Sequence, residues 1–166
     1  MPIKDHKELA LAMLSQLRHG AERSVKIYGE LAQAAQNSQV KEALDARALV
    51  AQQELSRLDE CFKLIGEKPV KVDERLTEVF VEDFRKELNE IQGPLARRLF
   101  VLAKASHLLH LQLAGYIVLT AAADVLGHPG VGVLLESNIA DKMAFAERTK
   151  RLVREHIEAK IETKAA

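Results

Sequence analysis

Apolar residues recur three and four positions apart along nearly the whole chain, and no run of about four to eight residues alternates apolar and polar side chains with the β-branched enrichment of a strand. The pattern predicts helices only. Its interruptions are few: Gly66 to Pro69, Gly93-Pro94 and Gly127-His128-Pro129-Gly130. Each marks a helix end, because Pro cannot continue a helix and Gly accepts the left-handed exit. The first segment, about Ile3 to Lys63, is too long for one globular helix, and Asn37-Ser38 offers a break and a cap near its middle. A shorter helix is expected over about Asp73 to Ile91, with Asp73 as its cap. Two long helices follow, Pro94 to Leu126 and Pro129 to about Ile161, each with Pro at its first position.

The connections decide how these helices pack. Short turns at Asn37 and at Gly127 to Pro129 force two antiparallel hairpins, while Glu67 to Gly93 is long enough to run the length of a bundle between them. The expected fold class is all-α: a ferritin-like four-helix bundle of two antiparallel hairpins with a fifth, shorter crossover helix. A single domain over residues 1–166 is expected, frayed at about 1–5 and 160–166. The crossover helix carries an apolar face of Leu76, Val79, Phe80, Phe84, Leu88 and Ile91. Phe80, Phe84 and Leu88 are the expected oligomer surface, and a homodimer the expected assembly.

Composition narrows the class of function. Apolar residues are 48% of the chain and charged residues 29%, as in a globular protein. Lys plus Arg equals Asp plus Glu at 24 each, and the signs are interleaved, so no field gathers nucleic acid. The lone Cys61 cannot close an internal disulfide and is read as a small buried hydrophobe, which fits a reducing, cytoplasmic location. Met1 to Glu8 is charged and unlike a signal peptide. Between Lys104 and Asp124 no residue carries a formal charge, a length able to cross a bilayer. Ser106, His107, His110, Gln112 and Thr120 would then face lipid, so a buried central helix is expected and no membrane partner.

At about 100° per residue, the apolar face of the second helix (Val40, Ala43, Ala51, Leu58, Cys61, Ile65) centres close to Arg47 and Glu54. Two charges are thus expected to point inward. The same construction puts Lys142 in the stripe of Leu135, Ile139, Phe145, Leu152 and Val153, and His110 between Ala103, Ala114 and Ile117. Glu22 lies to the side of the face formed by Leu14, Leu17, Ala21, Val25 and Tyr28. The His107/His110 pair is spaced to share a ligand, yet has no second His or Cys pair to complete a metal site.

Over about Leu9 to Leu152 the chain resembles the bacterial YciE/YciF family of stress-associated proteins. The segments that carry the likeness are Ala21-Glu22-Arg23, the run Phe62-Lys63-Leu64-Ile65-Gly66-Glu67-Lys68-Pro69, Tyr116 through Leu126-Gly127-His128, and Leu134-Leu135-Glu136. The resemblance implies a ferritin-like bundle, in which a working di-metal centre takes inward carboxylates and Glu-x-x-His pairs. Here no Glu-x-x-His occurs. Where the family carries ligands, this chain reads Asp45-Ala46-Arg47-Ala48-Leu49-Val50-Ala51, Leu109-His110-Leu111-Gln112 and Ala140-Asp141-Lys142-Met143-Ala144-Phe145-Ala146.

A former metal pocket is therefore expected from Arg47, Glu54, Lys142, His110 and Glu22, the metal replaced by internal ion pairs and no cofactor held. That favours a non-enzymatic structural or interaction protein. The alternative is an iron- or manganese-binding oxidase or iron-handling protein with Glu22, Glu54, His107 and His110 as ligands. A small-ligand site in the vacated space is the third possibility.

Overall fold

The computed structural model describes residues 3–73 and 75–165. Five helices follow in order: α1 (His6–Ala34), α2 (Ser38–Ile65), α3 (Arg75–Glu90), α4 (Pro94–Val125) and α5 (Pro129–Ala165). Among the described residues there is no strand. The breaks lie where the sequence puts them, and for the expected reasons. Asp5 accepts from the backbone N–H groups of Lys7 and Glu8 to cap α1, and Asn37 accepts from Val40 to cap α2. Gly66 and Gly127 leave their helices at φ 70° and 80°, values that only Gly adopts without strain. The last helix differs from expectation, continuing to Ala165 instead of ending near Ile161.

Helices α1 and α2 form one antiparallel hairpin and α4 and α5 the other. α1 packs on α4 and α2 on α5, so the four close around one core, and the segment 66–93 carries the chain back along the bundle. The inner positions follow a strict alternation of three and four. On α2 the buried row is Val40, Leu44, Arg47, Ala51, Glu54, Leu58 and Cys61; on α4 it is Leu102, Ala105, Leu109, Gln112, Tyr116, Leu119 and Ala123. This spacing keeps one seam of each helix facing inward along the bundle.

Two expectations are corrected here. The aromatics of α3 are not an outer surface: Phe84 is buried and stacks on Phe100 of α4 with ring centroids 6.1 Å apart, while Phe80 and Leu88 pack against the same cluster. The exposed apolar residues of α3 are Leu76 and Val79. The amphipathic face of α3 is spent on its own bundle, so Phe84→Ala is expected to lower stability by about 3–5 kcal/mol, against a change within about 0.5 kcal/mol for Leu76→Ala. Urea unfolding of the two variants checks this.

Nor is α4 buried all round. It is the one described helix long and apolar enough to cross a membrane by length and composition, yet only 33% of its most apolar window is buried. Leu111, Ile117, Val118 and Val125 stand exposed on its outer side.

Candidate functional site

Two apolar clusters lie end to end along the core. One apolar cluster holds Tyr28, Leu31, Leu44, Leu102 and Leu109; the other holds Leu17, Leu58, Cys61, Tyr116 and Leu135. Between them lies a layer in which the inner rows carry Ser24, Arg47, Glu54, Gln112, Asn138 and Lys142, all buried.

Glu54 is its centre. The Arg47 side chain runs along α2 to reach it, with Nη2 2.8 Å from Oε1 and 2.9 Å from Oε2. From α5, Lys142 Nζ lies 2.8 Å from Oε2. The same ammonium donates to Gln112 Oε1 on α4 at 2.9 Å, Gln112 Nε2 donates to Ser24 Oγ on α1 at 2.7 Å, and Ser24 donates to the Gly20 carbonyl. One chain of hydrogen bonds therefore crosses all four helices. Gly20 makes room for it: a Cβ there would stand 3.0 Å from Gln112 Nε2. Asn138 Nδ2 donates to the Glu54 backbone carbonyl at 3.2 Å and approaches the Tyr116 hydroxyl at 3.5 Å.

Aromatic faces complete the shell. The Arg47 guanidinium carbon is 5.1 Å from the Tyr28 ring centroid and 5.7 Å from that of Phe145, and Lys142 Nζ is 5.0 Å from that of Tyr116. Among the described residues Arg47 Nε and Nη1 make no hydrogen bond, and the faces of Tyr28 and Phe145 lie beside this part of the cation.

The formal charges are two cations and one anion. Both ion pairs are sealed from water, where attraction is strong and an unpaired charge very unfavourable. Burial pushes the Lys142 pKa down to about 8, with Glu54 opposing the shift and Arg47 adding to it. Burial likewise raises the Tyr116 hydroxyl above its ordinary range, so it stays protonated and able to donate. The Cys61 thiol is buried and pushed up to about 11, mainly by desolvation, which makes it a poor nucleophile.

Of the residues singled out in the sequence, Arg47, Glu54 and Lys142 converge within ion-pair distance. Glu22 and His110 do not join them. Glu22 is on the surface, 3.5 Å from Arg18 Nη1, because it lies off the buried row Leu17, Ala21, Ser24 and Tyr28. His110 is exposed, its Nδ1 2.8 Å from the Ser106 carbonyl, and His107 is exposed on the same outer side. Apolar residues surround α4 so completely that its apolar stripe does not point to the core; the seam through Gln112 and Tyr116 does. Asp141 sits at the rim, 2.5 Å from Arg57, which also donates to Asn138 Oδ1. Glu22, Glu54, His107 and His110 therefore do not form a shared ligand set. Among the described residues, no three His, Cys, Asp or Glu side chains come together as a metal site.

Gln112, Asn138 and Ser24 are the members of the layer that the sequence alone did not single out. Their signal was positional: each falls on a three-four inner row.

An all-α bundle with a charged layer through its core defines a class of protein but no reaction. Over residues 6–166 the chain matches the family described as a domain of unknown function, DUF892, and it belongs to that family. Two solved structures share the fold. YcfI of Rhodopseudomonas palustris, described as a putative structural protein, superposes with a TM-score of 0.84 at 23% identity over 89% of this chain and 94% of its own. The E. coli stress protein YciF superposes with a TM-score of 0.88 at 18% identity over 94% of this chain and 99% of its own. The YciF-like assignment made from the sequence segments agrees with both. No functionally curated protein matches the chain.

Proposed function

We propose that this protein is a non-enzymatic, stress-associated structural or interaction protein whose bundle core is held by its own cations where ferritin-like relatives of this architecture hold metals. The observation that carries the proposal is the placement of Arg47 and Lys142 on a single buried carboxylate, Glu54. A di-iron or di-manganese centre needs several inward carboxylate and imidazole donors at neutral or negative charge. The donor set here does not fit. It offers one carboxylate, already held by two cationic side chains that would repel a divalent ion, and both imidazoles of α4 point away. The descriptions of YciF as a stress protein and YcfI as a putative structural protein are in keeping with such a role. A cytoplasmic location is part of the proposal, supported by the single unpaired cysteine.

An enzyme built on this layer would need an opening for substrate, yet Arg47, Glu54 and Lys142 are each at most 2% exposed. A cleft of about 330 Å³ does exist, but at the end of the bundle, between Leu11, Ile65, Leu119, His128 and Val131. It therefore lends no support to a ligand in the vacated metal position.

The test is thermal unfolding with and without Fe(II) or Mn(II) under anaerobic conditions, alongside oxygen consumption. A metal that binds only the folded state at 100 times its Kd adds about 2.7 kcal/mol, an unmistakable shift. The proposal expects no shift and no metal-dependent oxygen uptake; a saturable shift or turnover with Fe(II) refutes it.

A further inference from the structure

At one end of the bundle four helix termini meet without closing over the core. The start of α1, the end of α2, the exit of α4 and the first turn of α5 surround a cleft of about 330 Å³. Its floor is formed by Leu14, Leu119, Val131 and Leu135, all buried, and its rim carries Lys7, Glu8, Glu67 and His128. The connections leave it open. After Gly66 the chain turns along the side of α1, where the Val70 N–H donates to Ser15 Oγ at 3.0 Å, and the α4–α5 turn spans only residues 126–128.

We propose that this cleft binds one small uncharged molecule, largely apolar and of about ten carbons, with a hydroxyl at the end that faces the rim. The site is separate from the charged layer, so the proposal goes beyond the role inferred for the core.

The first argument is size and lining. A cavity of roughly 150 Å³ walled by Leu, Ile and Phe stays dry and takes up benzene. The cleft has about twice that room and a wall of the same kind, from Leu11 and Leu14 on α1, Ile65 on α2, Leu119 on α4 and Leu135 on α5. Water finds few partners on such a floor, whereas an apolar chain laid along it leaves water altogether. Sites between bundle helices with an apolar body and a few polar groups at the mouth are the usual form of a small-molecule pocket.

The second argument is the chemistry of the rim. One cation, Lys7, stands against two carboxylates, Glu8 and Glu67, a balance that opposes an anionic head such as the carboxylate of a fatty acid. Glu8 is already engaged, its Oε2 accepting from the Lys4 N–H at 2.8 Å. Lys7 and Glu67 are exposed to water, so a charged head gains little from them for the hydration it gives up. His128 is placed deeper. Its backbone is fixed on both sides, the N–H donating to the Ala123 carbonyl at 2.9 Å and the carbonyl accepting from Val131 at 3.0 Å. Its half-buried imidazole makes no hydrogen bond among the described residues. A neutral imidazole offers one donor and one acceptor, which is what a hydroxyl needs.

Isothermal titration calorimetry of the full chain with 1-hexanol, 1-octanol and 1-decanol tests the site. The expected result is one saturable equivalent per chain, with affinity rising about fourfold for each added methylene. Octanoate and octyltrimethylammonium, matched in chain length, should bind at least tenfold more weakly than octanol. Leu126→Trp and Val131→Phe fill the cleft from α4 and from α5, and each should weaken octanol at least tenfold with its helical circular dichroism unchanged; the pair keeps the test open if one of them fails to fold. His128→Ala should weaken octanol about fivefold, the worth of one hydrogen bond. Leu9→Gln, which alters the neighbouring groove between α1 and α4, should leave octanol binding as it is. Absence of saturable binding, binding that survives a folded cleft-filling variant, or loss of binding in Leu9→Gln would overturn the site. Octanoate or the ammonium binding as tightly as octanol, or an unchanged affinity in His128→Ala, would overturn the ligand class.

Discussion

Glu54→Gln is expected to destabilise the fold by about 3–5 kcal/mol, because it leaves two buried cations without their carboxylate. For a chain of this length that is a fall in Tm of roughly 6–20 °C. The size of the effect is a statement about unpaired charge, and a companion variant separates the two ideas. Replacing the triad together, Arg47→Met, Glu54→Leu and Lys142→Met, removes both the ion pairs and the desolvation they carry. The triple variant is expected to match wild type or exceed it by up to about 4 kcal/mol, since buried ion pairs are often no better than apolar packing of similar volume. Chemical denaturation of single and triple variants reads both. Additive losses in the triple variant would show that the layer stabilises by attraction, contrary to this account.

The second large effect is on pH. Lys142 has its pKa pushed down to about 8 by burial, while in the unfolded chain it titrates near the ordinary lysine value. Below about pH 8 both states hold the proton and the contribution is constant. Between there and the unfolded value the unfolded state binds more protons, so unfolding becomes harder as pH rises. The gain is roughly 3 kcal/mol across that window at 1.36 kcal/mol per unit. Cys61 acts in the opposite sense, since its raised pKa of about 11 makes the folded state the better proton holder at alkaline pH. The difference between wild type and Lys142→Met, followed by urea unfolding from pH 7 to pH 10, isolates the lysine. It should change in favour of wild type as pH rises; a flat difference would mean that Lys142 is not titrating in a sealed core.

Much of this architecture was legible because helices announce their own ends. Asn37, Gly66, Gly93 and Gly127 stop or start helices through local chemistry alone, and loop lengths then leave few ways to pack. Arg47, Glu54 and Lys142 were legible for a related reason: charged residues on otherwise apolar faces of amphipathic helices have a direction. That direction fails for α4. Its sides are apolar both toward the core and away from it, so an averaged stripe put His110 inward, whereas the three-four seam from Leu102 to Ala123 selects Gln112 and Tyr116. The misassignment of Phe80, Phe84 and Leu88 has the same root. Amphipathicity shows that a face is covered, and only tertiary packing shows whether the cover is the same chain; for α3 it is Phe100 and Lys104 of α4. The side-chain relay from Lys142 through Gln112 to Ser24 spans three helices and follows from no local pattern.

That the chain's own cations stand where a metal would be is tested most directly by elemental analysis of the intact protein, produced in iron- and manganese-supplemented medium and purified without chelators. The account predicts far less than one equivalent of any transition metal per chain, unchanged by anaerobic incubation with excess Fe(II) or Mn(II) followed by desalting. One or two equivalents retained in wild type, and lost in Glu54→Gln, would contradict it.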